Sequence, residues 1–146
     1  MTAVDLLMRW LHIFSVIAAV GATVFLRLVL IPSMAEIQDE ARAQLMKSLA
    51  GRLRKLIHGA IGGILLSGLY NTHLLWKTSV APYGLVYTIK VMLALAVFLI
   101  AIFLTSSRPK WAAFQTNRKK WLGINLALAA LIVALSAVLR MLHQAL

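Results

Sequence analysis

Residues 56–76, LIHGAIGGILLSGLYNTHLLW, decide how this chain is read. The stretch is long and apolar enough to cross a bilayer, which takes about 20 residues. It also carries what a purely lipid-facing span avoids: glycines, a serine, an asparagine and a histidine near each end. Gly59, Gly63, Ser67 and Asn71 recur every four residues and so share one helix face. Within a membrane, small residues at that spacing let a second helix approach closely, and the polar side chains can hydrogen-bond across the contact. The spacing predicts a helix central to a bundle, with neighbours packed on that stripe.

The rest of the composition agrees. Of 146 residues, 62% are hydrophobic and 13% charged, with a mean hydropathy of +0.88. A soluble domain carries roughly 25% charged residues, so the chain reads as one integral membrane domain. The net charge of +11 does not point to nucleic acid, because most of the lysines and arginines fall in two short loops between apolar spans. There they serve topology and lipid headgroups. The chain has no cysteine, which excludes disulfides, thiolate metal sites and cysteine catalysis. No cleavable signal is expected, since the first apolar segment holds Asp5, is too long and continues into basic residues.

Three further spans follow the same logic. The first covers about 6–31 and ends at Pro32; the third covers about 85–105 and the fourth about 121–142. Ser15, Ala19 and Ala22 continue the His12 face, so His12 is expected to point into the bundle. Ser33-Met34-Ala35-Glu36 has the pattern of a capping box opening a new helix. Ile37, Ala41, Leu45, Leu49 and Leu53 then repeat every four residues among charged neighbours. Residues 35–55 thus read as an amphipathic helix on the cytoplasmic membrane surface, or as a projecting extension of the second span. In the fourth span, Gly123, Ala127, Ala130, Ala134 and Ala137 form another small-residue stripe. Trp10, Trp76, Tyr83, Trp111 and Trp121 fall at span boundaries and read as interface aromatics.

Loop charge sets the expected orientation. The connection after span one holds Arg42, Lys47, Arg52, Arg54 and Lys55; the one after span three holds Arg108, Lys110, Arg118, Lys119 and Lys120. At the opposite end only Arg9, Lys77 and Arg140 lie near the boundary, with Lys90 deeper. The positive-inside rule puts both basic loops in the cytoplasm of a bacterial-type plasma membrane and both termini outside.

This topology brings His12, His73, His143 and Lys90 toward one outer layer, with Asp5, Arg9, Tyr70, Asn71, Tyr83 and Arg140 close in depth. Ionisable groups inside a membrane are costly and are functional candidates by default. Imidazoles from His12, His73 and His143 suit copper, with Met8 or Met141 as soft ligands. Alternatively, histidines on facing helices suit a haem iron, with Lys90 or an arginine pairing a propionate. His58 reads as part of the basic rim. No other span offers a histidine at its level, so two haems are not expected, and a single outer haem stays open beside copper. No pattern for phosphate binding or for a nucleophile with its base is present.

The run Gly51–Leu104, with arginines before the span, then SGLYNTHLLW, APYG and IK, resembles the copper-resistance D (CopD) membrane domain. The first span, WLHIFSVIAAVGATVFLRLVLIP, resembles the opening of CopD-like proteins and of HemJ, a membrane-bound protoporphyrinogen oxidase. The resemblance implies that His12 matches a first-helix histidine, Lys90 a third-helix lysine, and Tyr83-Gly84 the CopD turn. It departs from the pattern in span one, where a tryptophan and double glycine are reduced to Ala-Val-Gly. The HemJ tyrosine-histidine pair after that span is replaced by Ile31-Pro32.

The sequence therefore leads to an all-α, four-helix transmembrane bundle in contact with the lipid bilayer. The leading function is binding or handling of copper at the outer face through His12, His73 and His143; the alternatives are haem b binding through His12, His73 and Lys90, with electron transfer or porphyrinogen oxidation, or a cofactor-free accessory subunit. In the last, residues 35–55 would meet a membrane partner or a second copy of the chain.

Overall fold

The computed structural model describes residues 2–75, 81–106 and 109–144, apart from the side chains of 74–75, 81–83, 109, 112 and 142–144. Among the described residues the chain is all-helical, with no strand. Helix α1 (Ala3–Phe25) runs through a π-helical turn (Leu26–Leu30) into α2 (Ile31–Ser33) and a 3-10 turn (Met34–Glu36). Then come α3 (Asp39–Leu75), α4 (Ala81–Thr105), a 3-10 turn (Pro109–Trp111), α5 (Ala112–Thr116) and α6 (Arg118–Gln144).

Local chemistry explains where these helices begin and turn. Thr2 caps α1: its hydroxyl accepts from the Asp5 amide at 3.2 Å, and the Asp5 carboxylate accepts from the Thr2 amide at 2.6 Å. This is a full capping box. The box expected at Ser33–Glu36 does not form. Ser33 instead donates to the Val29 carbonyl at 2.8 Å, and the chain becomes extended at Ile37. Pro32 does not end the helix either. Proline lacks an amide proton and crowds the preceding turn, and here the wider π-helical turn just upstream accompanies it.

Arg42 closes this corner. Its Nε donates to the Met34 carbonyl at 2.7 Å and its Nη2 to Ile37 at 3.2 Å, while Asp39 pairs with it at 3.3 Å. Carbonyls left over at a helix end thereby gain donors. Arg54 does the same for α4, donating from Nε to the Thr105 carbonyl at 3.0 Å. Two arginines read as topology charges are also helix caps.

Helix α3 is unbroken over 37 residues, about 55 Å. That exceeds the roughly 30 Å of a bilayer core. Residues 39–55 are continuous with 56–75 as the first part of this one long helix.

The four long helices form two close pairs, α1 with α3 and α4 with α6, and the pairs meet more sparsely along α3–α4 and α1–α6. One buried cluster, Leu26, Leu104 and Leu122, ties the α1, α4 and α6 ends together; a second, Ile57, Ile61 and Phe98, joins α3 to α4. Large apolar side chains such as Leu7, Phe14, Ile17, Leu28, Leu69 and Met92 remain exposed. Soluble monomers rarely carry so much contiguous apolar surface. Three helical stretches are long and apolar enough to cross a membrane: Ala3–Glu36, Gly84–Thr105 and Arg118–Met141. Together these features suggest a multi-pass membrane protein in contact with lipid. The α3 stretch falls outside this set because His58, its glycines, Ser67, Asn71, Thr72 and His73 dilute its apolar character.

The stripe on α3 works in part as the sequence predicts. A Cβ built on Gly63 would stand 2.2 Å from Ser15 Oγ and 3.2 Å from Ser15 Cβ, so α1 crosses here. Gly59, by contrast, has nothing within 4 Å. On α6, Gly123 does not admit a helix backbone. It admits Arg27, whose Cζ would lie 2.8 Å from an added Cβ and whose Nη1 donates to the Lys119 carbonyl.

Candidate functional site

A cavity of about 120 Å³ lies at the seam between the two helix pairs, and all four long helices line it. Its walls are mostly Val, Ile, Ala and Phe. Four polar residues stand among them: His12 and Thr23 on α1, Lys90 on α4 and Asn125 on α6. Because the helices alternate in direction, His12 and Lys90 mark one end of the cavity, and Thr23 and Asn125 the other.

The His12 ring is held by α3. Its Nδ1 lies 2.9 Å from Ser67 Oγ, and Ser67 is fully buried. The serine hydroxyl approaches the Gly63 carbonyl at 2.6 Å and the Ile64 carbonyl at 3.2 Å. A carbonyl can only accept, so the single hydroxyl proton is committed there, and the oxygen is left to accept from Nδ1–H. A neutral His12 is thereby the Nδ1–H tautomer, with its lone pair on Nε2. Ligating histidines are oriented in the same way, through a hydrogen bond from the ring nitrogen that does not bind.

At the other end, Thr23 is turned back to the Ala19 carbonyl at 2.9 Å. Asn125 is 5% exposed, and its Oδ1 is buried with no hydrogen-bond partner. A buried acceptor left unpaired costs about 1–3 kcal/mol.

His73 does not join this group. It follows Ser67 by six residues on α3, about 9 Å farther along and about 120° around the helix, and it is exposed. The His143 side chain lies outside the described residues, as do Trp76, Lys77 and the Tyr83 side chain. Among the described residues no three His, Cys, Asp or Glu side chains come together as a metal site. This end of the bundle is instead laced by hydroxyls: Tyr70 donates to Asp5 at 2.8 Å, linking α3 to α1, and Thr72 bonds Tyr87, linking α3 to α4.

Comparison with known proteins assigns no family: no family model, no curated protein and no solved structure matches the chain.

Sequence reading missed Ser67 as the partner of His12, although it is the one hydroxyl in the Gly59–Asn71 stripe. It also passed over Thr72 and Tyr87, which carry no motif. Arg27 is visible in the sequence as a basic residue near the end of the first span, and an arginine inside an apolar run calls for a partner; that the partner is the Lys119 carbonyl was not legible.

Proposed function

We propose that the protein is a four-span membrane protein of the bacterial-type plasma membrane, both termini outside, that binds haem b in the seam cavity. His12 Nε2 would hold the iron and Lys90 would face a carboxylate of the ligand. The observation that carries this reading is the Ser67 hydrogen bond, which fixes the His12 ring and leaves Nε2 to ligate. Lys90 supports it by charge: an ammonium in the same apolar cavity opposes a bare metal cation and favours an anionic group. The donor set fits, and the volume sets a condition. About 120 Å³ is well below the roughly 300–1,000 Å³ of ordinary small-molecule sites. A macrocycle therefore requires the α1–α3 and α4–α6 pairs to part along the seam, where they touch least.

Bound haem supplies one-electron chemistry; this chain's residues orient the imidazole, pair the carboxylate and keep the site apolar. The fourth span would be the second half of α3, supported by its close approach to α1 at Gly63 and its burial of Ser67. Its first half would then lie on the cytoplasmic side. A second reading, copper bound by His12 with Met8 one turn away, is favoured by the small cavity alone.

A visible spectrum and metal analysis of the detergent-purified protein decide between them. A Soret band lost in His12→Ala supports haem. Copper without haem, lost in the same variant, supports the second reading, and neither retires both.

A further inference from the structure

The end of the seam cavity away from His12 holds two buried oxygens. Thr23 is 7% exposed and Asn125 5%, and both line the wall. Arg27 of α1 lies over Gly123 of α6, and the two helices run in opposite directions. Thr23, one turn back along α1, and Asn125, two residues on along α6, therefore come to about the same depth. Leu104 of α4 and Leu122 of α6 share one cluster, so Ala101 and Phe98, back along α4, line the cavity near that depth.

The Thr23 hydroxyl gives its proton to the Ala19 carbonyl at 2.9 Å, so toward the cavity it can only accept. Asn125 Oδ1 has no hydrogen-bond partner, and Arg27 is turned to the Lys119 carbonyl. Hydrocarbon offers no water to pair such groups, so the two oxygens call for a donor carried by a ligand. Its charge is restricted, because Lys90 at one end and Arg27 just beyond the other disfavour a cation. A neutral hydroxyl is the simplest donor left; an amide would bring a carbonyl needing a partner of its own.

Size restricts the rest of the ligand. The cavity, about 120 Å³, is near the roughly 150 Å³ at which one lined by Leu, Ile and Phe takes up benzene. A single aromatic ring is therefore accommodated without the helix pairs parting, and Phe98 offers it a ring to pack against. A phenolic hydroxyl, with a pKa of about 10, is also a stronger donor than an aliphatic one.

We propose that the Thr23–Asn125 end of the cavity binds the hydroxylated aromatic ring of a membrane-dissolved phenol, its O–H donated to Asn125 Oδ1 and its ring against Phe98. This goes beyond the haem reading and stands without it, since Thr23 lies about 16 Å along α1 from His12.

The test is a fluorine NMR titration of the full-length protein in detergent with para-fluorophenol, which donates a hydrogen bond, and para-fluoroanisole, its methyl ether, which cannot. Protein-free micelles correct for partitioning. The parent should bind the phenol about tenfold or more tightly than the ether, the cost of leaving a buried acceptor unpaired. Asn125→Ala leaves room for either ligand and should bring the two affinities together; Asn125→Leu, which loses no apolar packing, carries the same comparison if the alanine variant melts early. Ser136→Ala, on α6 but outside the cavity wall, should keep the parent's preference. Equal affinity in the parent, no binding of either compound, or a preference that survives loss of the Asn125 amide overturns the site. Survival there with loss in His12→Ala moves the hydroxyl to the other end of the cavity and overturns it equally. The visible spectrum of the same sample reports on the haem reading separately.

Discussion

Ser67 Oγ accepts a hydrogen bond from His12 Nδ1 at 2.9 Å while spending its own proton on the Gly63 carbonyl. That contact lies one helical turn from Gly63, where Ser15 of α1 comes close to α3. One residue thus joins the two helices and sets which nitrogen of His12 carries the lone pair.

Ser67→Ala should separate these two effects. It leaves Nδ1–H without its acceptor, and a hydrogen bond between membrane helices is worth about 0.6 kcal/mol on average and up to about 1.7. A fall of that size is expected in detergent-denaturation stability. Loss of a ligand's orienting partner typically costs 10–100-fold in affinity, so cofactor retention should fall much further than stability. Equal stability and retention in the variant and the parent would mean that Ser67 does not hold the ring.

Glycine substitutions should divide the α3 stripe. Gly63→Ala places a Cβ 2.2 Å from Ser15 Oγ, so the serine must turn away or the helices separate; overpacking of this kind costs about 1–3 kcal/mol. Ser15→Ala removes the clashing oxygen and leaves a 3.2 Å contact, so the double variant should recover part of the loss. Gly59→Ala and Gly62→Ala meet nothing within 4 Å and should be neutral or slightly stabilising. Thermal melts of the five proteins check the pattern.

How much of this was legible depended on whether a property lies along a helix or around it. Position along a helix can be read from the sequence: apolar runs locate the long helices, and counting residues puts His12 and Lys90 near one depth. Rotation requires knowing which helix packs where. His12 and His73 share an expected layer, yet His73 lies about 120° around the helix from Ser67, the residue that bonds His12. Helix ends were obscured differently. Pro32 and Ser33-Met34-Ala35-Glu36 read as stop and start signals, but a π-helical turn accommodates the proline. The corner is then closed by Arg42, whose long side chain reaches the Met34 carbonyl from eight residues away.

Arg42 yields its own prediction. Arg42→Gln removes the donors to Met34 and Ile37 and the pairing with Asp39. Hydrogen bonds from a charged group to the backbone are worth about 1.5–3 kcal/mol when buried, and this half-buried side chain should give less. Amide hydrogen exchange should rise across residues 34–42 and stay unchanged near His12. Uniformly raised exchange would mean that the corner supports the whole bundle.

Asn125 should respond in the opposite sense to most buried polar residues. Its Oδ1 has no partner, so Asn125→Leu removes an acceptor that costs about 1–3 kcal/mol. The ligand-free protein should become more stable. Any ligand that donates a hydrogen bond at this end of the cavity should bind less tightly to the variant. A lower melting temperature for ligand-free Asn125→Leu would show that the amide is satisfied in the membrane, by water for example.

The absence of native cysteine makes the span count directly measurable. Ala3, Lys47, His73 and Lys119 are all exposed, and each can be replaced singly by cysteine. In intact cells, an impermeant maleimide should label Ala3→Cys and His73→Cys, while Lys47→Cys and Lys119→Cys should react only after permeabilisation. The decisive pair is Lys47 and His73, because both lie on α3, the long helix whose polar residues keep it out of the apolar set. If α3 crosses the membrane, its two ends must label from opposite sides. If both react from one side, α3 is held against α1 without spanning. The chain would then cross three times, through α1, α4 and α6, and the His12–Ser67 contact would lie at a membrane face rather than within it.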